Sequence, residues 1–115
     1  MTHDRFNAHE RLAIDLYCGG DESFFAGYRD ACRRQFKLDM AAADRALTEG
    51  DIKMFTRTVH SMKSVLKSLG MPQAAEAAAD IETEVGRSGL SVVRPAWAAL
   101  CADIASAYGV SLDQL

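Results

Sequence analysis

Between Ile52 and Leu69 the apolar residues Ile52, Phe55, Val59, Met62, Leu66 and Leu69 follow one another at steps of 3, 4, 3, 4 and 3. A helix with one buried face keeps such a spacing, because about 3.6 residues complete a turn, whereas a strand would need strict alternation. The same period recurs on either side. Phe25, Tyr28, Cys32, Phe36, Met40, Ala43 and Leu47 mark a long helix that Asp21 caps, that carries Glu22 in its first turn, and that Gly50 stops after Glu49. Asp51 caps the next helix at once, so the two long helices share a tight turn and must pack antiparallel.

Gly70 ends the helix from Ile52 to Leu69, and Pro72 suits the first turn of a fourth helix with Ala74, Ala78, Ile81 and Val85 as its stripe. Gly86 and Gly89 predict a loop. A last helix is expected from near Pro95, burying Trp97, Leu100, Cys101, Ile104 and Tyr108 before Gly109. A shorter segment, Phe6 to Tyr17, with Leu12 and Leu16 one turn apart, precedes them. The expected fold is all-α: an antiparallel up-down four-helix bundle with a short N-terminal helix, residues 1–115 forming one domain.

Composition narrows the function. Hydrophobic residues are 49% and charged residues 25% of the chain, a globular balance rather than that of a disordered tail. No apolar run approaches the ~20 residues of a membrane span, and Met1 to Glu10 is too polar for a signal peptide, so a cytoplasmic protein is expected. A net charge of −3 argues against a nucleic-acid binder. Cys18, Cys32 and Cys101 are odd in number and form no CxxC pair, which disfavours both a disulfide framework and a zinc site. Cys32 and Cys101 lie on apolar stripes and are read as small buried hydrophobes. The cluster Phe24, Phe25 and Tyr28 is read as core.

The unusual feature lies off the core stripe of the third helix. Lys53, Arg57, His60, Lys63, Ser64 and Lys67 fall on one band, with His60 roughly 130° from the core direction on a helical wheel. From Ile52 to Ala75 there is no Asp or Glu. A chain acidic overall has thus gathered cations around one histidine, a field that favours an anion such as a phosphoryl group or an acidic partner surface. An exposed neutral imidazole is a nucleophile at neutral pH without a separate base. His3 and His9 have no ligand-like spacing and are read as solvated.

The string His60-Ser-Met-Lys63-Ser64-Val-Leu-Lys67-Ser-Leu69-Gly70-Met71 resembles the signature of histidine-containing phosphotransfer (HPt) domains. Ala46-Leu47 with Gly50-Asp51, Gly19-Gly20-Asp21 with Phe24, and Ile81-Glu82 also look like this family, so the resemblance spans nearly the whole chain. It implies that His60 is the phosphoacceptor, that Lys63 neutralises phosphoryl oxygens, and that Glu82 orients the imidazole through Nδ1. Lys53, Arg57, Ser64 and Lys67 would meet the partner. Ser64 departs from the pattern, standing where the family commonly has a glycine that lets a partner come close.

The resemblance further implies a monomeric relay between the receiver domains of a hybrid histidine kinase and a response regulator, without kinase activity of its own. It would have no resident cofactor or metal, any Mg²⁺ belonging to the receiver. Two rivals stand beside it: a helical adaptor that binds a signalling partner through the same face without phosphotransfer, and a carboxylate-histidine metal bundle. The second would need His and Glu on the core stripes, which are apolar.

Overall fold

The computed structural model describes residues 5–115, so His3 lies outside the described residues. Within them the order is α1 (Ala8–Tyr17), α2 (Glu22–Glu49), α3 (Ile52–Ser68), α4 (Pro72–Ser88), α5 (Leu90–Ala107) and a 3-10 turn at Leu112–Gln114, with no strand. The two long helices α2 and α3 start at the expected caps. Asp21 accepts from the Phe24 amide and Asp51 from the Met54 amide, each at 3.0 Å. At α1, Asn7 accepts from Glu10 N at 2.8 Å while the Glu10 carboxylate accepts from Asn7 N at 3.0 Å, a reciprocal capping box.

Helix α3 packs against both α2 and α4, while α5 packs against α4 and α2 and α1 leans on α3. One continuous core runs through all five helices, filled by Phe25, Phe36, Phe55, Met62, Leu66 and Ile104 among others. Phe55 and Trp97 meet edge to face with centroids 5.5 Å apart, and Trp97 Nε1 donates to Asp44 at 2.8 Å, satisfying the one polar atom of the indole. Gly70 sets how closely α1 approaches α3. Its φ is +72°, and a Cβ there would lie 2.6 Å from the His9 carbonyl oxygen.

Several expectations need correction. Helix α5 starts at Leu90 and carries Pro95 inside it. The apolar period extends upstream to Val93, which is buried, and the backbone bond lost at Pro95 falls early in the helix, where the Ser91 carbonyl lies on an exposed residue. Gly86 sits within α4, which runs to Ser88 before Gly89 at φ +86° ends it. In α1 the buried face is Ala13 and Ile14, while Leu12 and Leu16 are exposed; a helix this short contacts the bundle along one narrow line. Phe24 is exposed, unlike Phe25 beside it, and Ala74 and Tyr108 are only half-buried. Over its 18 residues α5 is also long and apolar enough to cross a membrane by length and composition alone, since only Arg94 and Asp103 interrupt it. Its Val93, Trp97, Leu100 and Ile104 are buried against the rest of the fold.

Candidate functional site

Gripped on two sides by α2 and α4, α3 keeps one face in solvent. Its N-terminal end is fixed by the tight Gly50-Asp51 turn, where Gly50 adopts φ +72°. The buried side is Phe55, Thr58, Val59, Met62 and Leu66, and the hydroxyl of Thr58 donates to the Met54 carbonyl at 2.8 Å, so nothing polar is left unsatisfied there. On the open side the His60 side chain is 61% exposed. Lys53, Arg57, Ser64 and Lys67 are exposed as well.

Two residues of the expected set are held in place. Glu82 reaches over from α4, where it lies seven residues, or about two turns, beyond Ala75 on the edge facing α3. Ala75 and Ala78 are buried small residues that let the helices approach closely enough for the carboxylate to span the gap. Its Oε1 and Oε2 lie 3.0 and 3.2 Å from His60 Nδ1. Lys63 Nζ donates to Oε2 at 3.2 Å. Lys63 is therefore half-buried and paired, not a free member of the cationic band. The lack of acidic residues along α3 was a property of the chain order; the fold supplies the missing carboxylate from α4.

Partial burial pushes the Glu82 carboxyl up, but the hydrogen bonds from His60 and Lys63 outweigh it and hold the group below the ordinary glutamate range. Ionised, it can only accept, so Nδ1 must be the donor and carry a proton. In the neutral ring the lone pair is then on Nε2, the nitrogen on the other side of the ring from Glu82. The arrangement yields an exposed nucleophilic nitrogen on a ring whose rotation and tautomer are fixed by a second helix.

A shallow depression of about 460 Å³ adjoins the ring, lined by Ile52, Lys53, Thr56, Arg57, His60 and Glu82. Ile52 and Thr56 join the cationic band there, beyond the residues expected from the sequence. Ile52, which fits the apolar period of α3, is 50% exposed in its first turn. The signal was present: Ile52, Thr56 and His60 lie at steps of four and share a face. Lys67 is not in this depression; it borders a separate recess of about 120 Å³ with Leu12 and Leu16 of α1. Ser64 is one turn from His60 and open to solvent. His9 is exposed, Cys32 and Cys101 are buried, and Cys18 is half-buried. Among the described residues no three His, Cys, Asp or Glu side chains gather as a metal site.

Comparison with protein families matches residues 28–110 to the model of the Hpt domain. No curated protein and no solved structure gives a significant match.

Proposed function

The chain belongs to the Hpt domain family, and on that premise we propose that it is a phosphorelay intermediate in which His60 takes a phosphoryl group from a receiver-domain aspartate and passes it to a second one. The observation that carries this reading is the imidazole itself. It stands 61% exposed on a cationic face with Nδ1 engaged by Glu82, which leaves Nε2 for an incoming acyl phosphate.

In the accepting step Nε2 attacks phosphorus, the P–O bond to the aspartyl group breaks, and the carboxylate departs with the electron pair. In the donating step a second aspartate attacks phosphorus and the P–Nε2 bond breaks. Lys63, one turn from His60, neutralises the phosphoryl oxygens once its ammonium turns from Glu82 Oε2 towards the incoming group, and Lys53 and Arg57 draw the acidic mouth of a receiver towards the depression. Ile52 and Thr56 add apolar contact at its floor, while Ser64 and Lys67 shape the far edge of the footprint. Members of the family are transfer intermediates and not kinases; the Mg²⁺ that a receiver needs would come with the receiver. Such a relay draws on ATP through its kinase, which suits the cytoplasm.

The up-down antiparallel order of α2–α5, with residues 1–115 as one domain, belongs to the same reading. It is supported by the tight turns at Gly50 and Gly70, by the neighbour relations of the helices and by the single continuous core. The experiment is to incubate the protein with a phosphorylated receiver domain and Mg²⁺ and look for acid-labile, alkali-stable phosphate. Label is expected on the wild type and absent from His60→Gln. Label that persists in the variant removes His60 from its role, and none with any of a panel of receivers turns the protein into an adaptor.

A further inference from the structure

Helix α5 has the weakest division between an inner and an outer face of the five. Only a third of its residues are buried, yet its outward side carries Val92, Pro95, Ala96, Ala98, Ala99 and Ala102, all exposed. Arg94 and Asp103 are its only charged residues. A helix that is apolar on every side is ordinarily covered on every side. Here one side is open.

That side borders a groove. Between α4 and α5 lies a cavity of about 300 Å³ whose apolar lining is Ala77, Ile81, Val93 and Ala96, with Val92 standing 54% exposed at its edge. The α4 wall follows Gln73, Ala77, Asp80 and Glu84, and the α5 wall follows Val92, Ala96, Ala99 and Asp103, each at steps of four, three and four. Gln73 and Asp103 meet again in a recess further along the same seam. At 1.5 Å per residue each wall runs about 16 Å, room for about three turns of a further helix. The alanines on both walls let such a helix come close.

The rim is acidic. Asp80 and Glu84 stand one turn apart on α4, Glu76 and Asp103 extend the row, and the cation on this side is Arg87, near the end of α4. Glu84 accepts from the Ser88 hydroxyl at 2.7 Å, but none of these five charges has an ion-pair partner among the described residues. A second copy laid on this face about a two-fold axis would set carboxylates against carboxylates. A basic segment meets them with opposite charge. Glu82, two residues on from Asp80 and so about 200° round the helix, points the other way, to His60.

We propose that the groove between α4 and α5 docks an amphipathic helix of a protein partner, one with a narrow apolar stripe between flanking lysines or arginines. The stripe enters between Ala77 and Ala96, and the cations reach Asp80, Glu84 and Asp103. The site lies on the flank of α4 turned away from His60, so its occupant leaves the exposed face of α3 uncovered. It needs no phosphate, and it stands or falls apart from the phosphorelay reading.

The probe is a synthetic helical peptide of about 15 residues, with leucines and alanines at steps of three and four and lysines on either side, together with a counterpart that has glutamates for the lysines. Added to ¹³C-methyl-labelled protein, the lysine peptide should move the signals of Ala77, Ile81, Val92 and Ala96 with saturation, and should leave Ile52 and Thr56 beside His60 in place. The glutamate peptide should move none. Asp80→Asn with Glu84→Gln should weaken binding about 10-fold at low salt. Ala96→Phe, a change at an exposed position, should fill the groove and abolish the saturable response with thermal unfolding unaltered.

A response that spreads over the acidic surface without saturating, or that survives Ala96→Phe, overturns the proposal and leaves only a general attraction of opposite charges. Saturable shifts at Ile52 and Thr56 instead would place the peptide on α3 and overturn it as well. So would a dimer in sedimentation that Ala96→Phe dissolves, since a second copy would then fill the groove.

Discussion

Among the described residues, positive charge gathered at the α1–α2 contact and positive charge gathered on α3 are built in opposite ways. Where α1 meets α2, Arg11 pairs with Glu22 at 2.8 Å and Arg29 with Glu10 at 2.9 Å, and both guanidinium groups lie over the Phe6 ring, at 5.2 and 5.3 Å from its centroid. Those cations are planar, stacked and neutralised, and they fasten a short helix to the bundle. On α3, by contrast, Lys53, Arg57 and Lys67 have no ion-pair partner among the described residues, and the one neutralised lysine, Lys63, shares its carboxylate with the histidine. Charge whose partner is already inside the fold holds structure together. Charge left without one is available to another molecule.

The largest effect that separates the two regions is at His60. His60→Gln should abolish phosphorylation while leaving the midpoint of thermal unfolding almost unchanged, because an exposed side chain carries little of the fold. A large drop in stability would show that the ring belongs to the structural class after all. Next in size is Gly70→Ala, which adds a Cβ 2.6 Å from the His9 carbonyl at a residue with φ +72°. Backbone on both sides of the clash cannot give way cheaply, so a loss of about 1–3 kcal/mol in denaturant unfolding is expected. Phosphoryl acceptance by the folded fraction should survive. If Gly70→Ala silences His60 at full stability, the boundary drawn between the two regions is wrong.

A subtler contrast lies in salt dependence. The double variant Arg57→Ala, Lys67→Ala should slow association with a receiver by about 10-fold at low ionic strength, and the difference should shrink to under about 2-fold near 0.5 M salt, where charges more than a few ångströms apart are screened. Stability should not move. The matching change in the other region, Arg29→Ala, should do the reverse: it strips Glu10 of its partner and uncovers Phe6 and Phe25, costing on the order of 1 kcal/mol with no effect on association. Stopped-flow association at several salt concentrations, alongside urea unfolding of each variant, distinguishes these outcomes.

How much of this could be read from the chain alone follows the same division. The helices came through because their buried faces repeat at three and four, and the tight turns came through because Asp51 and Gly50 have few other uses in that order. The limits of α5 did not, because Pro95 reads as a helix start and its tolerance inside a helix depends on where the missing bond falls. Leu12, Leu16, Phe24 and Ile52 are exposed although their spacing suits a buried face, for one reason: apolar residues in a first turn or on a short helix fit a helical spacing without a neighbour to bury them. In the site, the exposed histidine and its cations were legible as one helical face. The pairing of Glu82 with both His60 and Lys63 was not a property of any local pattern, since it joins residues 22 and 19 positions apart, and only the resemblance to a family pointed at that glutamate.

That pairing also yields the smallest effect, and its sign is fixed by the direction in which Glu82 is displaced. Its carboxyl is held below the ordinary value of 4.5 in the folded protein, where partial burial raises it but the bonds from His60 and Lys63 lower it more. Protons therefore bind Glu82 more tightly in the unfolded chain than in the native one. The pairing contributes stability above about pH 4.5, and that contribution is lost as pH falls through the depressed native value. In Glu82→Gln the contribution is absent at every pH, so the two proteins should differ by less than about 1 kcal/mol at pH 6 and converge in strong acid. Asp113 is also held low, by a hydrogen bond from Ser111, but it is present in both proteins and cancels in the comparison. Urea unfolding from pH 6 to pH 3 measures the convergence; two curves that stay parallel over that range would mean that the carboxylate titrates no differently in the native state, and that Glu82 sits beside His60 without binding it.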